Sequence, residues 1–275
     1  MQYLAYHFTV SPVQPGSEIL MALISDFGFE SFDTNDSGFT AYIKEEDANG
    51  VNLNDLVFDE FSFTYTVEKI PLTNWNAEWE KNFEPVVVGD LLCIRAPFHE
   101  PNKKVKHEII IMPKMSFGTG HHQTTRLMCA AMFETDFKNK RVLDMGCGTG
   151  VLAILAKKLG AGEVLAIDID EWSVENSREN CDDNNCGDVV VKQGDIDLIQ
   201  NENNFDIILA NINKNVLKAH MASYANKMNK GAQLFLSGFF TTDAEELEAL
   251  ALTHHLTLQK RNSEAEWQML QFEKK

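Results

Sequence analysis

The sequence predicts an α/β protein in which a mostly parallel, doubly wound sheet of seven strands follows a small α+β domain. A buried strand, a glycine-rich turn and a helix follow one another over residues 142–156, and strands and helices then alternate, as a parallel sheet requires. Residues 1–70 carry the element order βαββαβ, which is typical of the split βαβ, ferredoxin-like arrangement. We therefore expect a ferredoxin-like domain over 1–70, a linker with a short helix over 71–107 and the α/β domain over 108–275.

The composition indicates a globular protein with a strongly acidic surface. The chain has 275 residues, 44% of them hydrophobic, and a net charge of −17, so it is long enough for one large or two smaller domains. Residues 1–70 hold twelve acidic and two basic side chains, which places ten of the negative charges there. Such a surface repels nucleic acid and suits a basic partner, although it could equally serve solubility alone.

The cysteines and the hydropathy pattern predict a soluble, cytoplasmic protein. The five cysteines include no CxxC pair, so we expect free thiols in a reducing compartment. The first residues lack the basic start of a signal peptide, and no apolar run approaches the roughly 18 residues that cross a bilayer. We expect a monomer without membrane association.

The first 70 residues alternate strand and helix patterns but carry no cluster of reactive side chains. The expected elements are strand 4–10, helix 18–24, strands 29–32 and 39–43, helix 52–58 and strand 61–67. The last of these alternates strictly between apolar and polar residues, as a half-buried strand does. Because the segment has no His/Cys cluster and no glycine loop, we predict that it docks a partner and takes no part in catalysis.

Residues 71–107 are predicted to link the two domains. Trp75, Trp79 and Phe83 recur every four residues and would share one face of a short helix. We interpret this stripe as a structural seam in preference to a ligand cage. Prolines and a cluster of lysines over 97–106 indicate an exposed loop.

A second glycine-containing loop precedes the first helix of the α/β domain. After a short apolar strand at 108–112, two glycines flank Thr119, which gives a tight, mobile loop able to close over a ligand. Thr124 and Thr125 then open a helix. The neighbouring His121 and His122 suggest a metal site, but adjacent side chains point apart and no third ligand is near, so we predict no metal.

From residue 141 onward the pattern predicts seven strands and four helices. The strands are 141–145, 163–168, 188–193, 205–210, 232–237, 256–261 and 266–272, and the helices lie near 150–160, 171–185, 214–229 and 242–252. The last two strands have no long helix between them, so we expect the final strand to be antiparallel to its neighbours.

The glycine-rich turn predicts a nucleotide-type pocket at the carboxyl ends of these strands. Gly146, Gly148 and Gly150 alternate, unlike the GxGxxG pattern of dinucleotide sites. Asp168 ends the next strand, where a carboxylate can accept both hydroxyls of a ribose. Asp144, in front of the turn, would repel a pyrophosphate but tolerate an ammonium and a sulfonium. These features favour S-adenosylmethionine (SAM), with NAD as the alternative.

Two further strand ends extend the predicted pocket. Gly194 and Asp195 follow the third strand, where the acid or the neighbouring backbone could bond an adenine amine, although this pair is also common in turns. Asn211 ends the fourth strand, where its amide oxygen could accept a hydrogen bond from an amine and orient the lone pair. The alternative for Asn211 is a cap on the following helix.

The loop before the first helix resembles a family signature. Residues 117–125 read FGTGHHQTT, which is similar to the FGTGxHxTT signature of the PrmA family, the bacterial methyltransferases of ribosomal protein L11. Residues 142–150, 167–170 and 210–212 match the cofactor segments of that family in order and spacing. The likeness spans nearly the whole chain, although Ser116 stands where the family usually has alanine and the N-terminal domain is only weakly similar.

The resemblance implies a class I, Rossmann-like SAM-dependent methyltransferase domain and a ferredoxin-like domain that docks the ribosomal protein, a basic protein of the large subunit. It implies methyl transfer to lysine side chains and to the N-terminal amine. By resemblance Thr125, Gly146, Asp168 and Asn211 contact SAM, and Asn211 is our candidate for orienting the amine. The loop and the turn complete the expected cofactor site: Phe117, Gly118, Thr119, Gly120, Asp144, Gly148, Gly150 and Gly194.

Three alternatives remain open from the sequence. They are an NAD-dependent oxidoreductase, a non-catalytic adaptor that binds SAM or a ribosomal partner, and a methyltransferase of another protein or of RNA. The acidic N-terminal domain argues against RNA, and we expect no direct contact with nucleic acid. His121 is a candidate proton acceptor, and we expect no other residue to act as a strong base.

Overall fold

The computed structural model of the chain describes residues 2–53, 56–70, 80, 82–114 and 116–275. The chain divides into two compact units, Met1–Asn82 and Phe83–Lys275. Residues 83–107, which the sequence assigns to the linker, therefore lie in the second unit. Trp75 and Trp79, two of the three residues in the predicted stripe, lie outside the described residues, so the role of the stripe as a seam stays a prediction.

Among its described residues, the first unit contains a four-stranded antiparallel sheet and a helix of 12 residues. Its elements are β1 (Tyr3–Ser11), α1 (Val13–Ile24), β2 (Ser31–Asn35), β3 (Gly38–Lys44) and β4 (Ser62–Lys69). The strand order β2-β3-β1-β4, with every neighbour antiparallel, is the one that the split βαβ arrangement requires. Of the helix expected over 52–58, the described residues are not helical, and only a short 3₁₀ turn at Ala48–Gly50 precedes them.

The second unit contains a seven-stranded sheet wound on both faces by helices. Its strands are β8 (Arg141–Met145), β9 (Glu163–Asp168), β10 (Val190–Gln193), β11 (Phe205–Asn211), β12 (Met228–Phe240), β13 (Leu256–Glu264) and β14 (Trp267–Lys274). The helices are α2 (Gln123–Met132), α3 (Val151–Lys158), α4 (Glu171–Asp183), α5 (Lys214–Lys227) and α6 (Ala244–Thr253). The order β10-β9-β8-β11-β12-β14-β13 confirms the predicted fold class, and β14 is antiparallel to both of its neighbours, as expected.

Side chains that alternate along the strands face helices on both sides of the sheet. Val142 of β8 faces a core that includes residues of α2, α3 and α4, whereas the adjacent Leu143 faces a core that includes residues of α5 and α6. Successive side chains of a strand point to opposite faces, so a strand that is apolar throughout is buried on both sides. The glycine turn after β8 is therefore held at the edge of a sheet that is covered on both faces.

A small three-stranded sheet was not predicted. It consists of β5 (Val86–Val88), β6 (Leu92–Arg95) and β7 (His107–Ile110), of which only the last was expected as a strand. β5 and β6 are short and are separated by a tight turn, and the run of prolines and lysines after them is typical of a loop. With three and four residues respectively, β5 and β6 become stable strands only because they pair with each other and because β6 pairs with β7.

Two buried asparagines, one in α4 and one directly after it, fix the segment between β7 and the loop that follows it. The Asn184 side chain bonds both the N–H and the carbonyl of Ile110, so it replaces a missing strand partner. The Asn180 Oδ1 accepts from Met112 N at 2.9 Å, while its Nδ2 donates to the carbonyl of Thr149 at 2.9 Å. One side chain therefore holds both the approach to the loop and the glycine turn.

Candidate active site

A cavity of about 480 Å³ lies at the carboxyl ends of the parallel strands. Most of the strands of the large sheet contribute to its lining: Met145 and Gly146 after β8, Asp168 of β9, Gly194 after β10, Asn211 of β11, Gly238 of β12 and Trp267 of β14. The volume is within the range of about 300–1,000 Å³ that is typical of sites for small ligands. The cavity occupies the edge of the sheet at which the sequence predicted a nucleotide-type pocket.

The glycine turn between β8 and α3 lies against the cavity and has no room for side chains. Gly146 has φ of 75°, and a Cβ there would lie 2.2 Å from Cγ2 of Ile212. Gly148 has φ of 53°, and a Cβ there would lie 2.2 Å from the carbonyl oxygen of Phe117. Both positions need a left-handed conformation and a close approach, which only glycine combines at low cost.

Thr149, in the middle of this turn, bonds the loop at residues 117–120. Its backbone N–H donates to the Phe117 carbonyl at 2.9 Å, and its Oγ1 donates to the Gly118 carbonyl at 2.8 Å. The loop was predicted from the sequence to close over a ligand, but the two hydrogen bonds by which Thr149 holds it were not predicted. A hydroxyl residue between two glycines of the turn was the available signal.

Substitution of Gly148 is expected to disturb both the turn and the loop. In Gly148→Ala the added Cβ must displace the Phe117 carbonyl, which is backbone and cannot swing away, so we expect affinity for SAM to fall by at least about tenfold. The measurement is calorimetric titration. Gly89→Ala is the matched control, because Gly89 has φ of 56° but nothing within 4 Å of its Cβ position. Equal affinities for the two variants would contradict this role of Gly148.

Asp168 is fixed at the cavity wall by the backbone around it. Its Oδ2 accepts from Gly148 N at 2.8 Å, and its Oδ1 accepts from Asp170 N at 3.1 Å. Its carbonyl accepts from Gly194 N at 2.8 Å, which ties the end of β10 to the end of β9. An ionised carboxylate has about four acceptor sites, so Asp168 keeps capacity for two ribose hydroxyls.

Asp144, by contrast, lies behind the turn and not in the lining of the cavity. It is 1% exposed, and its Oδ2 accepts from Ala153 N at 3.0 Å, inside the first turn of α3. Burial, reinforced by the charge of Asp168, raises the pKa of Asp144 to about 7. The carboxyl group is thus partly protonated at neutral pH, and its structural contact is with the helix. Asp144 therefore repels a pyrophosphate less strongly than an exposed, fully ionised carboxylate would, and it favours SAM over NAD less than expected from the sequence.

Five other residues expected to bind the cofactor are likewise not in the lining of this cavity: Gly118, Thr119, Gly120, Thr125 and Gly150. Gly118 and Thr119 line a neighbouring cavity of about 330 Å³. A Cβ on Gly120 would strike Ile94 of β6 at 2.8 Å, and one on Gly150 would strike Ser177 of α4 at 2.4 Å. These glycines allow close packing around the site, which a motif alone does not distinguish from ligand contact.

Asn211 lines the cavity, and its side chain contains a buried acceptor that no described residue uses. Its Oδ1 is buried without a hydrogen-bond partner among the described residues, while its Nδ2 lies 3.5 Å from Oγ1 of the fully buried Thr125. The alternative role as a helix cap belongs to Asn213, whose Oδ1 accepts from Val216 N at 3.2 Å. A buried acceptor without a partner is costly unless a ligand donates to it.

The two histidines of the loop have separate environments. The His121 Nε2 lies 2.9 Å from the Glu84 carbonyl and its Nδ1 lies 3.1 Å from Thr119 Oγ1, so His121 is engaged outside the main cavity. His122 does line the cavity and caps α2, where its Nδ1 accepts from Thr124 N. Among the described residues no cluster of potential metal ligands occurs.

An aromatic wall closes the end of the cavity nearest β14. The His122 ring lies 4.5 Å from the Trp267 ring and 5.3 Å from the Phe117 ring, measured between centroids. Phe117 is 54% exposed, which leaves its ring available to a ligand or substrate. Trp267 was not predicted as a site residue, because a single tryptophan at the start of the last strand gives no local signal.

A profile of the family described as "Ribosomal protein L11 methyltransferase (PrmA)" matches residues 25–275. The chain belongs to the PrmA family. A PrmA relative from Phocaeicola vulgatus is 42% identical over 93% of this chain and 95% of its own length. One from Porphyromonas gingivalis is 40% identical over 99% of this chain and 98% of its own length. Both carry the name ribosomal protein L11 methyltransferase.

A solved PrmA structure agrees with this assignment. The crystal structure of a ribosomal protein L11 methylase from Lactobacillus delbrueckii subsp. bulgaricus has a TM-score of 0.65 and 27% identity, covering 70% of this chain and all of that chain. Membership in PrmA confirms the resemblance, the methyltransferase activity and SAM as the methyl donor. These findings favour that interpretation over an NAD-dependent oxidoreductase and over a non-catalytic adaptor. No helix in the described part of the chain is long and apolar enough to span a bilayer.

Proposed function

We propose that this chain transfers methyl groups from SAM to amine nitrogens of ribosomal protein L11, namely lysine side chains and the N-terminal amine. The names of the relatives support the substrate. The observation that supports this chemistry is that Asn211 lines the cavity while its buried Oδ1 has no partner among the described residues, so we propose this oxygen as the acceptor for an N–H group of the substrate. The cytoplasmic location, the monomeric state and the lack of direct nucleic-acid contact belong to the same proposal.

The residues around the cavity fit SAM. Asp168 offers a carboxylate that is already oriented by two backbone N–H groups, and Gly146 and Gly148 leave the backbone open to a closely approaching ligand. We propose that these residues and Gly194 hold the nucleoside and amino-acid parts of SAM. When bound, SAM supplies an electrophilic methyl group on a positively charged sulfur.

The chain must present the substrate amine in its neutral form. A lysine with a pKa of ~10.4 costs ~4–5 kcal/mol to deprotonate at pH 7, against ~1 kcal/mol for an N-terminal amine. The wall of Phe117, His122 and Trp267 gives that end of the cavity a largely apolar surface, which disfavours an ammonium through desolvation. The Asn211 Oδ1 then accepts one N–H of the neutral amine, so that the nitrogen lone pair has a defined direction.

Among the described residues that line this end of the cavity, we identify no side chain suited to act as a strong base. Burial, reinforced by Arg126, lowers the pKa of His122, so its ring is neutral at pH 7. Its Nδ1 accepts from Thr124 N, which places the proton on Nε2, and a protonated Nε2 donates and does not accept. The expected candidate His121 lies outside this cavity. We therefore propose that the rate acceleration comes chiefly from positioning the amine against SAM and from excluding water.

We further propose that residues 1–70 dock the substrate protein. This segment carries ten of the net negative charges, which suits a basic ribosomal protein. The kcat/KM for L11 is expected to fall by about tenfold or more between 50 and 300 mM NaCl, because salt screens attraction between exposed charges. The affinity for SAM, measured in the same buffers, serves as the control and should change little. A kcat/KM independent of salt would reject electrostatic docking.

The experiment that tests the main proposal uses SAM with an isotopically labelled methyl group. The full chain is incubated with unmethylated L11, and the products are mapped by mass spectrometry. We expect label on lysine side chains and on the N-terminal amine. L11 with its amines acetylated is the matched control, and a second basic ribosomal protein tests selectivity. Label on oxygen or on arginine, or equal labelling of both proteins, would contradict the proposal.

A further inference from the structure

A buried histidine and a buried tyrosine lie beside the cavity at the end opposite the aromatic wall. His220 of α5 is 7% exposed and lines the cavity together with Asp195. The His220 Nε2 lies 3.4 Å from Asp195 Oδ1, and its Nδ1 lies 3.2 Å from the hydroxyl oxygen of Tyr224. Tyr224 is fully buried. The three side chains therefore form a row that starts in the core and ends at the cavity.

The direction of the protons in this row follows from its chemistry. Burial lowers the pKa of His220, although the charge of Asp195 opposes this, so the ring is neutral at pH 7. An ionised carboxylate only accepts, which places the ring proton on Nε2, facing Asp195. The Nδ1 then accepts from the Tyr224 hydroxyl, which burial keeps protonated by raising its pKa. Tyrosine thus fixes the tautomer whose ring proton is on the Nε2 atom, the nitrogen that lies 3.4 Å from the carboxylate.

Asp195 is held through one of its two oxygens. Oδ1 receives the His220 contact and also accepts from Ile196 N at 2.7 Å. Neither contact occupies Oδ2. Because a carboxylate is planar, holding Oδ1 from two sides also defines the direction of Oδ2. This arrangement orients an acceptor beside the cavity, whereas a freely rotating surface aspartate would not.

The position of this acceptor along the cavity indicates which part of a ligand it meets. Gly194, which precedes Asp195, donates its N–H to the carbonyl of Asp168, and Asp168 is the proposed ribose site. The sheet order places β10 on the far side of β9 from β8, so a group at Asp195 lies beyond the ribose and away from the glycine turn. In SAM that group is the purine base.

We propose that His220 and Tyr224 position the Asp195 carboxylate to accept the 6-amino group of a purine, and so restrict this site to adenosyl ligands. The inference rests on the proposed binding of SAM. An amino group donates to Oδ2, whereas the 6-oxo group of hypoxanthine is an acceptor and meets the carboxylate unfavourably. His220 and Tyr224 act through Asp195 and are positioning residues.

The test compares two ligands that differ only at the base. S-adenosylhomocysteine and S-inosylhomocysteine are titrated calorimetrically into the full chain and its variants. The wild-type chain is expected to prefer the adenosyl ligand by about 30-fold or more. His220→Asn should reduce this preference by about three- to tenfold, mainly by weakening the adenosyl ligand, and Tyr224→Phe by about two- to threefold. The ratio of the two affinities does not depend on the folded fraction of a variant.

His107→Asn is the matched control, since His107 is a partly buried histidine packed against Phe133 and does not line the cavity. The preference of His107→Asn for the adenosyl over the inosyl ligand should equal that of the wild type. Equal weakening of both ligands in His220→Asn, or an unchanged ratio, would overturn the inference. If His220→Asn does not fold, the ratio of adenosyl to inosyl affinity in Tyr224→Phe tests the inference instead, because that substitution removes a single oxygen. A wild-type chain that binds both ligands equally overturns this inference alone, while one that binds neither overturns the proposed function.

Discussion

Asp168→Ala is expected to weaken SAM binding by at least about 100-fold. The substitution removes the acceptor proposed for two ribose hydroxyls, and each hydrogen bond to a charged group contributes about 1.5–3 kcal/mol. It also leaves the N–H groups of Gly148 and Asp170 without the partners that orient them, which loosens the turn. Calorimetric titration with S-adenosylhomocysteine provides the measurement.

Two variants separate this effect from a general change of charge. Asp188→Ala removes a largely exposed carboxylate that pairs with Lys157, and its affinity should match the wild type. Asp168→Asn keeps one acceptor oxygen, so its affinity for the ligand should lie between those of the wild type and Asp168→Ala. If Asp168→Ala binds within threefold of the wild type, the ribose assignment is wrong.

For Asn211→Ala, kcat is expected to fall by about 100- to 1,000-fold, while the affinity for SAM changes by less than about threefold. The reason is that the Asn211 Oδ1 is proposed to fix the direction of the amine lone pair, and misdirection of a reacting group is costly to the rate. Single-turnover methylation of L11 gives the rate of the chemical step, and titration gives the affinity.

Asn211→Asp is the informative partner of this variant, because it preserves an acceptor oxygen and should keep more activity than alanine. Asn229→Ala is the matched control. Asn229 bonds Asp206 near the opposite end of β11, so its loss should leave kcat unchanged. The opposite pattern for Asn211→Ala, with affinity lost and kcat retained, would make Asn211 a cofactor ligand without a role in orienting the amine.

The large sheet was predictable because its strands are buried on both faces and its helices are amphipathic. Runs such as Val142–Met145 and Phe205–Ala210 are apolar except for one aspartate each, so their hydrophobic content specifies strands between two helical layers. Asp168 and Asn211 were predictable as site residues for the same reason. Each follows such a strand directly, and the carboxyl ends of parallel strands share one edge.

The rest of the site depends on proximity that no local pattern encodes. Trp267 and His220 reach the cavity from a strand and a helix far apart in sequence, and each would pass for an ordinary core residue. Asp144 was expected at the ligand because the sequence shows that it precedes the turn but not that it points into α3. Strands β5 and β6 are likewise stabilised by each other and by β7 more than by their own sequences.

The place of β14 in the sheet has a consequence for biosynthesis. Because β14 lies between β12 and β13, a nascent chain emerging from the ribosome releases β13 before the strand that must separate it from β12. Until residues 267–274 arrive, both strands present an open edge of the kind that recruits chaperones or aggregates. The same residues bring Trp267 to the cavity, so the chain acquires a complete binding site only when the last strand of its sheet has been synthesised.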